Sequence, residues 1–545
     1  MNLMRSVIFV LLSLGLGFAQ PKKSGGDLCV PPPSGVAPAL PAKILTGQGE
    51  VYFPITIATA EAQKFFDQGV AQMHSFWARE AERSFLQAAA LDPDAPMPHW
   101  GIAMVAAGDF RPRFQIDVLN VVVGKLVPGP DSRAIKAAKR AQELAAVPGK
   151  ASELEKMYIA SVVGRRLTPM HDADDAYVGG LRAILAKYPR EIEAKLYLTL
   201  HIMRGFGRPE KTPRPGSMEA VSLLRELLHD APEHPGVHHF VIHGFEGSNF
   251  ASDAWPSCKR YSELVTNIPH AIHMPGHIYG QTGKLKEAQQ SFSDAAVNER
   301  GYMAADSVYG SGHHGHNVNY LSNVYSMDGQ FDKAMEAARE LLGFKENPRE
   351  ASQVDNFSTA YRQGWFAAMR ALVQAEKWDL LLDGQTLPVF DKPRQKAWRA
   401  WAVGIAHAST GQPNLAKQDA AAMSAAMDEL KTATKLNMPE ELMAARMELA
   451  GHIEIGSGKV KRGLKTLEAA AKKDRALVYT EPPYYPRPVS EALGLAALKH
   501  GQNKRAASAF RAELEQFPGS ARALSGLRQM RSQLLRQASP ADAGQ

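Results

Sequence analysis

The chain has 545 residues, 45% of them hydrophobic, a formal net charge of +7 and two cysteines. That is ample apolar material for a large core, while Lys and Arg are spread along the chain rather than grouped. The basic balance therefore reads as a solubility feature and not as a nucleic-acid surface. Two cysteines exclude a disulfide framework and disfavour a Cys-based metal site.

The first 19 residues read as an export signal: a short positive start over Met1 to Arg5, an apolar run from Ser6 to Gly17, and Gly17-Phe18-Ala19 as a small-x-small cleavage site. No Cys follows the cleavage point, which disfavours a lipid anchor, and no later run is long enough to span a membrane. The expectation is an exported, periplasmic protein. Residues 20–50, with Pro31-Pro32-Pro33, form a flexible Pro/Gly-rich leader, and Val51 to Ile55 is a short extended lead-in. In an oxidising compartment Cys29 and Cys258 are free to pair, but Cys258 falls at an inward repeat position, which favours a buried thiol.

Phe65, Gly69, Ala81, Phe85, Ala88 and Pro93 then fall at the packing positions of a tetratricopeptide (helix-turn-helix) repeat. Gly and Ala sit where two helices approach closely, the aromatics fill the space beside them, and Pro ends the second helix. The frame returns at Gly276, Tyr279, Ala288, Phe292 and Ala295, at Tyr325 and Ala334, at Gly404, Ala416 and Ala420, and at Gly494, Ala506, Phe510 and Pro518. Between Ala134 and Pro232 it is weaker, although Pro189 and Pro232 each close an amphipathic helix. Leu524 to Leu535 serves as a capping helix, and residues 536–545 form a polar tail. Almost nothing alternates with the period of a strand. The predicted fold is an all-α tetratricopeptide-type solenoid of about ten helical pairs over residues 51–535.

Eleven of the 18 histidines lie between His229 and His316. Two His-x3-His pairs, His239/His243 and His273/His277, sit one repeat period apart. Each pair occupies the fifth and ninth places of a first helix, which face the concave side. Glu246 follows at the twelfth place, the next repeat has Gly280 there, and His316 takes the second place of the repeat after. Six side chains from three adjacent helices thus converge, and imidazoles at i and i+4 with a carboxylate suit Zn, Fe, Mn or Cu. Two other readings stay open: a histidine-lined groove that contacts a peptide, and plain packing. His238 faces a flank, and His313 and His314 fall in a Gly-rich loop with Gly310, Gly312 and Gly315.

Other features are weaker. His171-Asp172-Ala173-Asp174-Asp175 lacks the Gly and Glu of a calcium loop and reads as a helix start with an acidic first turn. His74, His99, His201, His407, His452 and His500 are isolated and read as structural. No phosphate loop, nucleophile elbow or His-Glu-x-x-His is present. Glu481-Pro482-Pro483-Tyr484-Tyr485 is a rigid aromatic turn whose Glu is within reach of the groove.

Ala62 through Gly69 with Glu80 to Phe85 and Leu91-Asp92-Pro93, His238-His239 through Glu246, His273-Met274-Pro275-Gly276-His277-Ile278, and Glu481 through Tyr485 together resemble a family of exported bacterial tetratricopeptide proteins marked by His-Met-Pro-x-His-Ile. The resemblance spans about Phe53 to Leu527. It implies a helical solenoid with a shared His/Glu site, carried here by His239, His243, Glu246, His273, His277, His316 and Glu481. It implies no particular activity or metal. Relatives carry Gly-Pro-Asn after Trp100-Gly101, where this chain has Gly108-Asp109-Phe110-Arg111-Pro112, so any role of that loop does not transfer. The leading expectation is a metal-binding solenoid of the cell envelope, catalytic if the ion acts as Lewis acid or redox centre. The alternative is a scaffold that binds a peptide or protein in its groove without metal, and a third possibility is a metal carrier or sensor.

Overall fold

Residues 37–117, 132–168, 170–306, 309–356, 358–478 and 480–538 are described by a computed structural model of the chain. The export signal, Cys29, most of the leader and the end of the tail lie outside the described residues. The described chain is a succession of antiparallel helical hairpins, beginning with Ala60–His74 against Ala78–Leu91 and ending with Val489–Lys499 against Asn503–Gln516, capped by Ala521–Ala538. The two-residue pairing of Phe206–Gly207 with Thr212–Pro213 is the only sheet among the described residues. No described helix is long and apolar enough to cross a membrane.

One spacing builds the hairpins. Gly69 faces Phe85, Gly276 faces Phe292 and Gly494 faces Phe510, each Phe following its Gly by 16 residues. A Cβ on these glycines would lie 2.6, 2.6 and 2.4 Å from the opposing ring. The missing side chain is what lets the two helices close around the phenyl group. The same contact therefore recurs in the first, sixth and last hairpins, and it survives because every substitution at the Gly would have to displace a buried ring.

Both ends of the solenoid fold back on its middle. Near the N-terminus the Gly47 carbonyl accepts from the Thr266 and Asn267 amides at 3.0 and 2.9 Å, and the Tyr309 hydroxyl donates to Glu80 at 2.7 Å. The Ala42 and Leu45 amides donate to Gln87 and Gln68. The end of the expected flexible leader is thus bonded in place, because its backbone finds buried amide side chains. Near the C-terminus Arg208 donates to Gln516 at 3.0 Å, and a Cβ on Gly519 would lie 2.9 Å from Leu285. Two large apolar cores result, one running to Ile278 and the other starting at Ala334. The histidine-rich helices span the seam between them, the earlier ones contributing Phe240 and Met274 to the first core and the last lying between the two.

Cys258 is a buried free thiol, and burial pushes its pKa up. His313 and His314, expected in a loop, stand instead on the helix Ser311–Met327. Gly315 is there for packing, not for a turn: a Cβ on it would lie 2.8 Å from Ala360 Cα.

Candidate metal centre

Three helices carry the cluster: Pro235–Phe245, Pro269–Gln281 and Ser311–Met327. The first two open on Pro at their first turn, where a missing N–H costs nothing. Pro275 lies inside the second helix and withholds one N–H from its ladder, while the Ser291 hydroxyl donates to the neighbouring Ile272 carbonyl at 2.6 Å. His239, His243, Glu246, His273, His277, His316 and Glu481 are all buried. The edge that the repeat frame assigns to the concave side is covered here rather than open to a peptide.

The histidines fall into two triads. In one, His273 Nε2 lies 2.5 Å from His277 Nε2 and 3.3 Å from His316 Nε2. The outward nitrogens are committed elsewhere. His273 Nδ1–H donates to Asn317 Oδ1 at 2.7 Å, and the Asn317 amide is fixed in that orientation by donating to the Phe292 carbonyl at 3.0 Å. His277 Nδ1–H donates to Glu246 at 2.8 Å and to Glu481 at 3.0 Å. With their protons on Nδ1, the Nε2 lone pairs of His273 and His277 face each other. Lone pairs at that distance repel, so a proton or a cation belongs between them.

The second triad is His239, His243 and His270, whose ligand atoms all lie within 4.8 Å of one another. His239 Nε2 is 3.2 Å from His270 Nε2, and His239 Nδ1 donates to the His74 carbonyl. Glu246 and Glu481 therefore stand behind His277 rather than among the inward nitrogens, although Glu246, His277 and Glu481 form a further close group through Nδ1. His270 was missed in the sequence. It occupies the second place of the same first helix that carries His273 and His277, so the repeat frame held the signal.

Aromatic rings seal the site. Phe76 lies against His239, His243 and His270 with centroids at 4.5, 5.4 and 5.5 Å. It does so from a left-handed backbone, φ 52°, a conformation costing a non-glycine residue about 1 kcal/mol. Tyr261 stacks on His239, Phe292 lies tilted at 4.8 Å from His273, and Tyr320 lies 4.9 Å from His277. In this dry setting burial and neighbouring imidazoles hold His239, His270, His273 and His316 well below the usual histidine range, so they are neutral donors. Burial also opposes charge on His277, but the Glu481 and Glu246 carboxylates outweigh it and raise its pKa to about 10. Burial and the Glu246 charge push the Glu481 carboxyl up, while Glu246 is held down.

Glu481 comes from a distant loop anchored independently. Arg370 donates to the Pro483 carbonyl at 3.3 Å and to Asn319 at 2.9 Å. The Tyr485 hydroxyl and Arg487 both donate to buried Glu448. Beside Tyr320 a small cleft is lined by Arg208, Gly280, Gln281, Asn323, Pro483 and Gln516.

Several other histidines meet ordinary partners. His238 pairs with Ser257 and the Pro232 carbonyl. His314 bridges Glu299 and Glu340 at 3.1 and 2.8 Å, and His313 also meets Glu299. His74, read as isolated, joins His234 on Glu193. Asp174 pairs with Arg113 and Arg165 near the start of the helix Met170–Lys187, where the sequence reading placed a helix start.

No family model and no curated protein matches the chain. Among solved structures it is similar to tetratricopeptide-type proteins at low identity. One is the human IFIT1 dimer with m7Gppp-AAAA, at 10% identity over 89% of this chain and 92% of that one, TM-score 0.35. Others are the APC/C hetero-tetramer Cut9-Hcn1, at 11% over 89% and 79%, TM-score 0.30, and yeast Tom70, at 11% over 88% and 90%, TM-score 0.27. The overlap in space is loose, and the fold assignment rests on this chain's own succession of hairpins and its recurring Gly–Phe contact.

Proposed function

We propose that this chain is an exported tetratricopeptide-type protein that binds a transition-metal ion through His273, His277 and His316, with Asn317, Glu246 and Glu481 orienting the rings. The supporting observation is the convergence of His277 Nε2 and His316 Nε2 on His273 Nε2, with the Nδ1–H groups of His273 and His277 donated to outer acceptors. Metal-bound imidazoles nearly always donate their other N–H to a carboxylate or carbonyl in this way. A tetrahedral ion at ordinary Zn–N distances sets its nitrogens about 3.3 Å apart, which the His316–His273 separation of 3.3 Å already meets. One proton could bridge His277 and His273 but would not account for a third imidazole nitrogen, His316 Nε2, standing 3.3 Å from His273 Nε2.

Three imidazoles and no inner carboxylate favour Zn or Cu over Mn. Three protein ligands also leave a fourth position for water or substrate, the pattern of catalytic rather than closed zinc sites. Lewis-acid or redox chemistry on a small molecule entering by the Tyr320 cleft is therefore within this reading. Burial of the rings argues against the alternative in which they contact a bound peptide. Untagged protein should carry stoichiometric transition metal by elemental analysis, and the His273→Ala/His277→Ala double variant should lose the ion at this triad. Metal retained there by the double variant would overturn the assignment. Export is tested by mass spectrometry of the mature chain, expected to begin at Gln20.

A further inference from the structure

The triad His239, His243 and His270 repeats the chemistry of its neighbour. His239 has its proton on Nδ1, donated to the His74 carbonyl, so its Nε2 lone pair faces His270 Nε2 at 3.2 Å. His243 is the sharper observation. Its ring is buried, and neither ring nitrogen makes a hydrogen bond. Glu246 lies 3.6 Å from its Nδ1, beyond hydrogen-bond reach but on the outer side, as at His277. His270 Nδ1 is also buried without a partner. A buried polar group left unmet is costly, and natural folds rarely keep one without a reason. An apolar side chain would fill the same space between Phe76 and Phe114 at no such penalty.

The two triads are contiguous. His270 and His273 stand three residues apart on one helix, with ring centroids 6.2 Å apart and planes within 26°. Each triad draws two rings from a His-x3-His pair and the third from the next first helix along the solenoid: His270 completes His239/His243, and His316 completes His273/His277. Glu246 serves both, bonding His277 and flanking His243.

We propose that the His239, His243 and His270 triad holds a second transition-metal ion, so that the seam of the solenoid carries a two-metal, six-imidazole centre. This rests on the assignment of the first triad, since the second ion is placed by analogy of geometry with the first. The inner donor set is imidazole alone, which suits copper or zinc and not the oxygen-preferring Mg, Ca or Mn. Because the two sites share one helix and one carboxylate, occupation of one constrains the rings of the other.

The test is a stoichiometry. Untagged full-length protein is stripped with chelator, reloaded with Cu(II), desalted and measured for copper per chain. Two are expected in the wild type, one in His243→Leu and one in His316→Leu. His270→Gln, which keeps a polar side chain, should also give one and covers the case in which His243→Leu fails to fold. One copper in the wild type that His243→Leu retains, or two in both, would overturn the second site while leaving the first standing. No copper in the wild type sinks both.

Discussion

Among the clusters of three close side chains that could hold a metal, two have opposite meanings. In the first, His74 Nε2–H and His234 Nε2–H both donate to Glu193, at 2.7 and 3.0 Å, and His234 Nδ1 accepts from the Gly236 amide at 3.1 Å. Donors meet acceptors, so this cluster is a buried hydrogen-bond network that ties the end of the first helix to two much later parts of the solenoid. In the triad of His273, His277 and His316 the acceptors of the first two lie outside, and their Nε2 lone pairs point inward, where His316 Nε2 also stands. Proximity of His and Glu is thus a poor discriminator. The direction in which the protons point separates a network that stabilises a fold from a cluster that needs a cation.

On that distinction, the largest stability effect belongs to the first cluster. Removing the shared acceptor by Glu193→Ala should cost about 3–5 kcal/mol in urea unfolding, since two imidazoles are left buried without it, while metal content stays at the wild-type value. The pH dependence follows the same logic. Burial alone would raise the Glu193 pKa, but the His74 charge and the His234 hydrogen bond hold it far below the ordinary carboxyl range. A depressed folded-state pKa means the unfolded chain binds more protons, so the contribution is fully present above about pH 4.5 and is lost as pH falls. The stability gap between wild type and Glu193→Gln should therefore be flat near neutrality and narrow on acidification. A gap that widens below pH 4 would refute the network reading.

The second cluster should behave in reverse. His243→Leu removes two unmet buried nitrogens without removing a hydrogen bond, so the metal-stripped variant should unfold about 1–3 kcal/mol later than the stripped wild type. A histidine kept for the fold would give a loss. Gain of apo stability together with loss of an ion marks a residue retained for binding.

How much of this was legible in the sequence depends on the range of the contact. The hairpins were, because Gly69 with Phe85 or Gly494 with Phe510 is a local spacing, repeated each time two helices must close on one ring. The pairing of His239/His243 with His273/His277 was legible for the same reason: one repeat period carries a residue to the matching place on the next helix. His270 obeyed that frame and was overlooked because His-x2-His-x3-His hides its first member beside the duplicated pair. Glu193 was not legible. It meets His74 across 119 residues because the superhelix turns over on itself, and no period in the sequence encodes that turn. His313 and His314 misled for a different reason. Gly310, Gly312 and Gly315 look like turn residues, yet Gly315 is required only by the approach of Ala360.

Glu481 offers the finest test, because its placement admits two ligand sets. Its carboxylate and that of Glu246 both reach His277 Nδ1, and the three form a group compact enough for an ion on that side of the ring. His277 can present Nδ1 or Nε2 to a single ion, not both while it keeps a proton. With the ion on Nε2, the carboxylates act through the ring: they hold its tautomer and raise its basicity. Glu481→Gln keeps an oxygen to accept from Nδ1–H and loses only the charge, so affinity should fall roughly tenfold, the low end for an outer partner, with stoichiometry unchanged. With the ion on Nδ1, the same variant deletes a charged ligand and stoichiometry itself should drop. A titration monitored at saturating metal distinguishes a weakened site from a missing one. The inward-facing nitrogens of His273 and His316, which have no role in the second arrangement, are the reason to expect the first.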